Sequence, residues 1–489
     1  MSAQIKSEEE MKRKMRRFES IWKLVSPEFP LLFKRIMFHI IPSDPKQDSE
    51  ISDKKSYQKI VEDLFKDWKM AQTLLVESIL ERLSLIKALE TQKNEHHRNK
   101  QGDKKKECIN KIIIINNELR MLRRCVDALV WLIFDCEHSS IRRLPLKDGI
   151  DNISAKNINE TMLAVNEMNK NPLSIALACD LTTFVHVGDV ILRNSDGIEI
   201  IELKSGEKNI KISQAAAFSL ETQCPVFEEN YMHDMNATDK KHYFRAKKQQ
   251  QRLSSVVNVI ETGQGYDNYH DKNIIIDDRN YQPEFFHKYI IQSWNKLCSG
   301  KNWDIHHVDD CLYIGVYRDY FLGFAGFNAW MDGTGFKGKI FNINDSFIHV
   351  IERPLLCLGL PLALLEEIID SKLTIVLCLD YKKFVQVGNS MFPGLFKYGA
   401  LDTDLVELAD LFNFDGNAVY SMSNGVKRYM GTGMESRIIF DFQYPRNVIE
   451  WCYKSSDLKK NLNKVKNDKR KALAKDKKKK RKIKRRLCR

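Results

Sequence analysis

Apolar residues recur every three or four positions along two long stretches near the N-terminus. The first set is Leu64, Trp68, Ala71, Leu75, Ile79, Leu83 and Ile86, and the second is Ile115, Leu119, Leu122, Val126, Leu129 and Ile133. This spacing places each set on one face of a helix. A polar segment that contains Gly102 separates the two sets. The pattern predicts a coiled-coil-like antiparallel helical hairpin, whose simplest role is a scaffold or a homo-oligomer contact.

From about Ile141 onward, short runs of β-branched and aliphatic residues alternate with helical stretches. This alternation is typical of mixed chains, so we expect an α+β or α/β multidomain fold. The predicted divisions are a helical region at residues 1–138, a mixed domain at 139–265 and a second mixed α/β domain of unassigned role at 266–453. Residues 454–489 form a polybasic tail.

The tail decides the charge balance of the chain. It carries 19 Lys and Arg against three Asp, a net charge of +16, while the whole chain carries +13 and the remainder therefore −3. A segment of this kind repels itself and cannot bury a core, so we expect it to be disordered. Its charge suits the phosphate backbone of nucleic acid, and a purely solubilising role is the alternative.

Composition argues against membrane and secreted classes. The longest uncharged apolar stretch, from Pro354 to Leu365, is shorter than the about 18 residues that a membrane span needs. The N-terminus lacks the apolar segment of a secretory signal, and the 11 cysteines include no C-x-x-C pair. We therefore expect a cytoplasmic protein with reduced thiols and no membrane partner.

The segment from His186 to Gly206, HVGDVILRNSDGIEIIELKSG, contains the candidate chemistry. Two aliphatic runs flank the tetrapeptide Asn194-Ser195-Asp196-Gly197, which is a strong hairpin-turn signal. With the turn centred on this tetrapeptide, Asp189 lies across from Glu202 on the neighbouring strand. Lys204 projects from the same face, because alternate residues of a strand share a face.

Both strands are apolar on both faces, which is typical of interior strands covered by helices. Two carboxylates and an ammonium group placed there cost free energy unless they pair or bind a cation. Mg²⁺ would resolve the conflict, since it is held by one or two carboxylates, waters and phosphate oxygens. Such a site suits phosphoryl chemistry, with Lys204 stabilising negative charge. A plain salt bridge of Lys204 with Asp189 or Glu202 is the alternative.

Gly188-Asp189, followed after twelve residues by Glu202-Leu203-Lys204, resembles the motif of the PD-(D/E)XK nuclease superfamily. The resemblance covers about residues 141–263 and implies a restriction-endonuclease-like αβββαβ core. It implies that Asp189 and Glu202 bind a metal ion, Mg²⁺ or Mn²⁺, and that Lys204 is the catalytic lysine. The sequence departs from the family pattern at Gly188, where the family has Pro.

The family often adds an acid from the helix before the hairpin. Glu160, in the helical stretch NINETMLAVNEM, is our candidate for this further metal ligand. Glu137 and Asp180 are the alternatives.

A basic stripe follows the hairpin. Lys241, Arg245, Lys248 and Arg252 are spaced 4-3-4, which places them on one face of a helix. The apolar residues Leu253, Val256, Val257 and Ile260 would seat the end of that helix on the sheet. The stripe is a candidate contact for a phosphate backbone, and an ordinary solvated face is the alternative.

Together these features predict a Mg²⁺-dependent nuclease that hydrolyses phosphodiester bonds in nucleic acid, with DNA as the favoured substrate. A setting in restriction or phage defence is an analogy from the architecture. Two other interpretations stay open. One is a non-catalytic nucleic-acid-binding protein on an inactive nuclease-like core, and the other is an assembly protein that acts through its helical hairpin and tail.

Overall fold

The computed structural model describes residues 21–41, 54–146, 153–204, 206–276, 281–349, 351–402, 411–423 and 425–454. The predicted disordered tail therefore lies, except for Lys454, outside the described residues. Helices and small antiparallel sheets alternate through the described part, which confirms a mixed α+β chain. None of the described helices combines the length and the apolarity that crossing a membrane requires. The ten described cysteines are all free thiols.

The described part of the N-terminal region, residues 21–41 and 54–138, is helical, as predicted. It contains a 3₁₀ turn at Ile21–Leu24 and helices α1 (Phe29–Ile40), α2 (Lys54–Arg98), α3 (Gly102–Ile133) and α4 (His138–Ile141). Helices α2 and α3 pack along each other and form the predicted hairpin. Near the turn of the hairpin Ile109 and Ile113 are exposed, whereas Leu75 and Leu122 of the predicted apolar stripes are buried at its base. Assembly through the hairpin stays a prediction.

The second half of α3 is the centre of the molecule. Every side chain from Glu118 to Trp131 except Arg120 is buried. The buried Arg124 pairs with Asp127, and its Nε donates a hydrogen bond to the carbonyl oxygen of Phe347 at 2.8 Å. Asp127 accepts hydrogen bonds from the backbone N–H of Thr183 at 2.8 Å and from its hydroxyl at 2.7 Å. One helix thus fixes a loop of the central region and a segment of the C-terminal region.

The apolar core is continuous across the predicted divisions. A single cluster of buried side chains extends from Ile21 to Ile449. The domain boundaries at residues 138 and 265 therefore stay a prediction.

The central region begins with helix α5 (Ala155–Met168). Strands β1 (Ile175–Ala178), β2 (Val190–Asn194) and β3 (Gly197–Ile201) follow, with a 3₁₀ turn at Cys179–Leu181. Helices α6 (Glu207–Thr222), α7 (Pro225–His233) and α8 (Ala237–Thr262) come next. The three strands form an antiparallel sheet in the order β1-β2-β3.

Side-chain amides cover the outer edge of β1. Gln72 of α2 donates to the carbonyl oxygen of Ala176 at 2.9 Å, and Asn169 accepts from the N–H of Ala176 at 2.7 Å. These bonds satisfy backbone groups that a further strand would otherwise pair with.

The next strand, β4 (Gln264–Asp267), pairs with β5 (Lys272–Ile275) in a separate hairpin. Within the described residues the order α-β-β-β-α is present, but β4 does not join the sheet. The αβββαβ core that the resemblance implies is thus not confirmed.

The C-terminal region is α+β and not α/β, because all of its described strand pairs are antiparallel. One sheet has the order β6-β7-β9-β8, formed by Trp303–Val308, Leu312–Tyr317, Thr374–Leu379 and Ile340–Asn342. A second sheet pairs β12 (Asn417–Ser423) with β10 (Lys397–Ala400), β11 (Asn413–Phe414) and β13 (Val426–Tyr429). Its helices include α9 (His287–Cys298), α10 (Tyr320–Thr334), α11 (Leu362–Ile369), α12 (Tyr381–Met391) and α13 (Gly433–Ile439), with 3₁₀ turns at Ile343–Ile348 and Leu355–Cys357. Residues 445–454 are helical as well.

We expect Asp127→Ala to lower the free energy of unfolding by about 3–5 kcal/mol, because it leaves the buried Arg124 charge without its partner. Glu107→Ala is the control on the same helix. It removes an exposed ion pair with Lys111 at 2.7 Å and should cost less than about 0.5 kcal/mol. Urea denaturation followed by circular dichroism measures both. Equal losses in the two variants would contradict the central role of α3.

Candidate active site

The hairpin has the predicted register. Val190 pairs with Ile201, and Asn194 pairs with Gly197 at the turn. The N–H of Asp189 donates to the carbonyl oxygen of Ile201 at 2.7 Å, which extends the ladder by one bond. Asp189 precedes β2 directly and Glu202 follows β3 directly, so the two acids meet at the same end of the hairpin.

The backbone conformation at position 188 requires glycine. Its φ is +76°, a value that proline cannot adopt. A Cβ atom at this position would lie 2.4 Å from Cγ2 of Ile200 and 3.2 Å from the carbonyl oxygen of Ile201. Only glycine therefore fits where the chain turns into β2, and this turn sets the direction in which Asp189 leaves the backbone.

Each acid of the pair has one oxygen engaged by a neighbour. Oδ2 of Asp189 accepts a hydrogen bond from the N–H of Leu203 at 2.6 Å. Oε1 of Glu202 accepts one from Nζ of Lys204 at 2.8 Å. The salt bridge that the sequence left as an alternative is thus present, between Lys204 and Glu202. Nζ of Lys204 also lies 3.4 Å from Oε1 of Gln249 on α8.

The two carboxylates repel each other. Burial raises the pKa of Asp189 from 3.8 to about 6, and the Glu202 carboxylate is the second cause. The Leu203 N–H and the Lys204 ammonium oppose this rise without cancelling it. A carboxyl whose pKa is raised by burial and by a like charge is typical of functional sites.

Asp180 is a third acid near the pair. Burial raises its pKa, the Arg123 guanidinium opposes the rise and the Glu202 carboxylate adds to it. The pKa of the buried Cys179 thiol is raised well above its usual value, by burial first and then by Asp189, Asp180 and Glu202. All three carboxylates therefore lie around this thiol.

The first-choice third ligand, Glu160, is not brought to the pair. Its side chain is 64% exposed and lies 3.8 Å from Nζ of Lys156 on the same helix. It is not among the charges that act most strongly on Asp189. Glu137 accepts hydrogen bonds from the hydroxyls of Ser139 and Ser140 on α4 at 2.8 and 2.7 Å, so both of its oxygens are engaged there. Of the three candidates, Asp180 is the one beside the site, because the 3₁₀ turn after β1 places it there.

The expectation of interior strands is wrong for β3. This strand lies at the edge of the sheet, and its first three residues are exposed. The run of apolar residues predicted a covered strand, but Ile198 on this strand is 38% exposed. The side chains of Glu202 and Lys204 are 17% and 22% exposed, so both are half-buried and both reach solvent.

The basic stripe is also accessible. Lys241, Arg245 and Lys248 are exposed and Arg252 is half-buried, and no ion pair joins any of them to another described residue. The inward Lys247, by contrast, pairs with Glu228 at 2.6 Å. These four charges are not neutralised within the described chain.

The helical face that carries the stripe becomes buried towards the C-terminal end of α8. Val256 and Val259 lie four and seven residues beyond Arg252, on the same helical face, and both are buried. Val256 belongs to the main core, as predicted, while Val259 lies against Gly265 of β4. Gln249, on the basic half of α8, lies 3.4 Å from Nζ of Lys204, so this half of the helix is beside the acid pair.

A cavity of about 340 Å³ lies among α6, α7 and α8. Its lining residues are Glu207, Lys208, Lys211, Ile212, Tyr231, Met235 and Asp239. An ion pair of 2.7 Å between Lys208 and Asp239 spans this group. None of the acid-pair residues lines the cavity, so it is separate from the candidate chemistry.

The residues present fit a hard divalent cation in part. Asp189 and Glu202 offer carboxylate oxygens, and Mg²⁺ needs only one or two carboxylates when waters and phosphate oxygens complete its shell. Within the described residues, no three His, Cys, Asp or Glu side chains converge into a complete protein-only metal site.

We expect Asp189→Asn to stabilise the fold at pH 8 by on the order of 1–2 kcal/mol, a value reduced for its partial exposure. The folded pKa of about 6 exceeds the usual 3.8, so the ionised carboxylate destabilises the folded state above pH 6. This penalty disappears as the pH falls towards 4, and the gain should disappear with it. Urea denaturation across this range measures the effect. A gain that does not change with pH would contradict the burial of an ionised Asp189.

The chain matches no protein-family model, no curated protein and no solved structure. A function for it therefore has to be argued from the geometry of its own residues.

Proposed function

We propose that the protein is a metal-dependent nuclease that hydrolyses phosphodiester bonds in nucleic acid. The single observation that carries the proposal is the convergence of Asp189, Glu202 and Lys204 at one end of a hairpin, half-buried and open to solvent. The raised pKa of Asp189 supports it, because this carboxylate is held in an unfavourable state that a bound cation would relieve.

Asp189 and Glu202 are the residues that would hold a Mg²⁺ or Mn²⁺ ion, and Asp180 is the nearest acid that could assist. When bound, the ion supplies charge stabilisation at the phosphoryl group and acidifies a water. The Lys204 ammonium, positioned by Glu202 at 2.8 Å, would stabilise negative charge on the phosphoryl oxygens. Hydrolysis adds the elements of water across the P–O bond, and the leaving oxygen departs as an alcohol.

The αβββα element order around the acids adds support from the fold. The motif lies at the adjoining ends of the second and third strands of a three-stranded sheet that follows a helix and precedes another. This is the placement that the PD-(D/E)XK resemblance implies for its Asp, Glu and Lys. The separate pairing of β4 distinguishes the described fold from the full αβββαβ core.

The basic stripe supplies the contact to the substrate backbone. Lys241, Arg245, Lys248 and Arg252 extend over about 16 Å of helix, by the rise of 1.5 Å per residue. This length matches about four or five phosphates at the axial spacing of one strand. Gln249 links this helix to Lys204, so a strand along the stripe passes beside the acid pair.

We expect the full-length protein to cleave nucleic acid with Mg²⁺ or Mn²⁺ and not with EDTA. Plasmid DNA, single-stranded DNA and RNA serve as substrates, and gel analysis of products gives the rate. Asp189→Asn, Glu202→Gln and Lys204→Met should each lower that rate by about 100-fold or more, because each removes a group that contacts the reacting phosphate or its cation.

Two acid-to-amide variants serve as matched controls. Glu199→Gln changes an exposed acid on β3, and Glu160→Gln changes the exposed acid on α5. Both should cleave at the wild-type rate. Binding of nucleic acid without cleavage under any metal would instead select the non-catalytic alternative.

We expect Arg245→Ser and Lys248→Ser to weaken binding of all nucleic-acid sequences to a similar extent. Each substitution should reduce the slope of log K against log salt concentration by about 1, because one phosphate contact is lost. Fluorescence anisotropy in Ca²⁺ buffer, with the full-length protein, measures the binding constant at each salt concentration and so gives the slope. Lys247→Ser is the control, since that lysine pairs with Glu228. An unchanged slope in the two stripe variants would show that the stripe is only a solvated face.

A further inference from the structure

A large aromatic ring is exposed beside the basic stripe. Phe244 on α8 is 52% exposed. It lies three residues after Lys241 and four before Lys248, so its ring adjoins both side chains on the helix surface. Leaving a phenylalanine in water costs free energy, and the basic neighbours make an apolar protein partner unfavourable at this position.

The Phe244 ring contacts a buried neighbour on the same helix. Its only ring contact within the described residues is with Tyr243, at 5.7 Å and an interplanar angle of 70°. Tyr243 is completely buried and belongs to the small core of α6, α7 and α8. About half of the Phe244 side chain is therefore accessible, at a position of α8 whose neighbour Tyr243 is buried in the core of this unit.

Phe244 is one exposed end of a row of rings that crosses this three-helix unit. The row consists of Phe218, Phe227, Tyr231, Tyr243 and Phe244, with centroid distances of 4.7 to 5.7 Å. Phe218, at the other end, is exposed to a similar degree, 48%. It lies on α6, away from the basic stripe, and so provides an internal comparison.

The stripe has a different neighbour on each side. Phe244 adjoins it on one side, and Gln249 adjoins it on the other, four residues after Arg245 and three before Arg252. Gln249 contacts Lys204 of the acid pair. A backbone that follows the stripe would thus present its phosphates to the acid pair on one side and its bases to Phe244 on the other.

We propose that Phe244 is a stacking platform for an unpaired base, and that the substrate at this site is single-stranded. This inference rests on the proposed nuclease function and specifies its substrate class. In a duplex the faces of the bases are covered by their neighbours, whereas a single strand offers them to aromatic side chains. A basic track with an adjoining aromatic ring is the combination that single-strand binding uses.

The test compares Phe244→Leu with Phe218→Leu in the full-length chain. Binding of fluorescein-labelled single-stranded DNA, single-stranded RNA and duplex DNA is measured in Ca²⁺ buffer by anisotropy. Phe244→Leu should bind both single strands about tenfold more weakly, which corresponds to the loss of one stacked base. It should bind the duplex within about twofold of wild type, and Phe218→Leu should bind all three probes as wild type does. Phe244→Tyr should restore binding, because it retains the ring.

A second readout reports stacking itself. A single-stranded oligonucleotide with one 2-aminopurine should lose fluorescence on binding at the position that meets Phe244, and Phe244→Leu should abolish this loss. Circular dichroism melting confirms that the variants are folded. Equal weakening of single-stranded and duplex binding, or equal effects of the two Phe variants, would overturn the inference.

The cleavage assay keeps the two proposals apart. If single strands bind in a manner that depends on the Phe244 ring but no metal-dependent cleavage occurs, the stacking role of Phe244 is supported and the nuclease function is contradicted. Cleavage that is insensitive to Phe244→Leu, together with equal binding of single strands and duplexes, supports the nuclease and contradicts the platform.

Discussion

Repulsion between two half-buried carboxylates is the constraint around which the candidate site is arranged. Asp189 and Glu202 are brought together by a hairpin whose turn permits one register, and burial together with this repulsion raises the pKa of Asp189. The interactions that keep the two carboxylates close together lie outside the pair. Gly188 permits the chain to enter β2, and Asp127 of the central helix fixes the loop at Thr183. Unfavourable placement of charge, supported by the surrounding structure, is typical of functional sites.

Features set by neighbours along the chain could be predicted from the sequence. The two apolar stripes gave the helical hairpin, because the period of a helix is a local property. The tetrapeptide from Asn194 to Gly197 gave the register of β2 and β3 for the same reason. The meeting of Asp189 and Glu202 follows from that register alone. The spacing of the four basic residues likewise gave the solvent-facing stripe of α8.

Features set by distant parts of the chain could not be predicted. Glu160 was the first choice for a third acid because of its helix, but the rotation of α5 turns its side chain to solvent. Asp180 takes that place because a 3₁₀ turn and Arg123, 57 positions away along the chain, direct the segment after β1. The position of β3 at the edge of its sheet depends on which strands pair, and β4 lies outside that sheet because it pairs with β5. No local pattern encodes these choices.

Under the proposed function, helix α8 would connect the contact to the substrate backbone with the position of the Lys204 ammonium. It is a single rod of 26 residues that is fixed to the body near Val256 and Val259. Its basic half is held as well, by the buried Tyr243 in the core that it shares with α6 and α7 and by the ion pair of Lys247 with Glu228 at 2.6 Å. Gln249 therefore meets Lys204 from a helix that is braced on both sides of the contact.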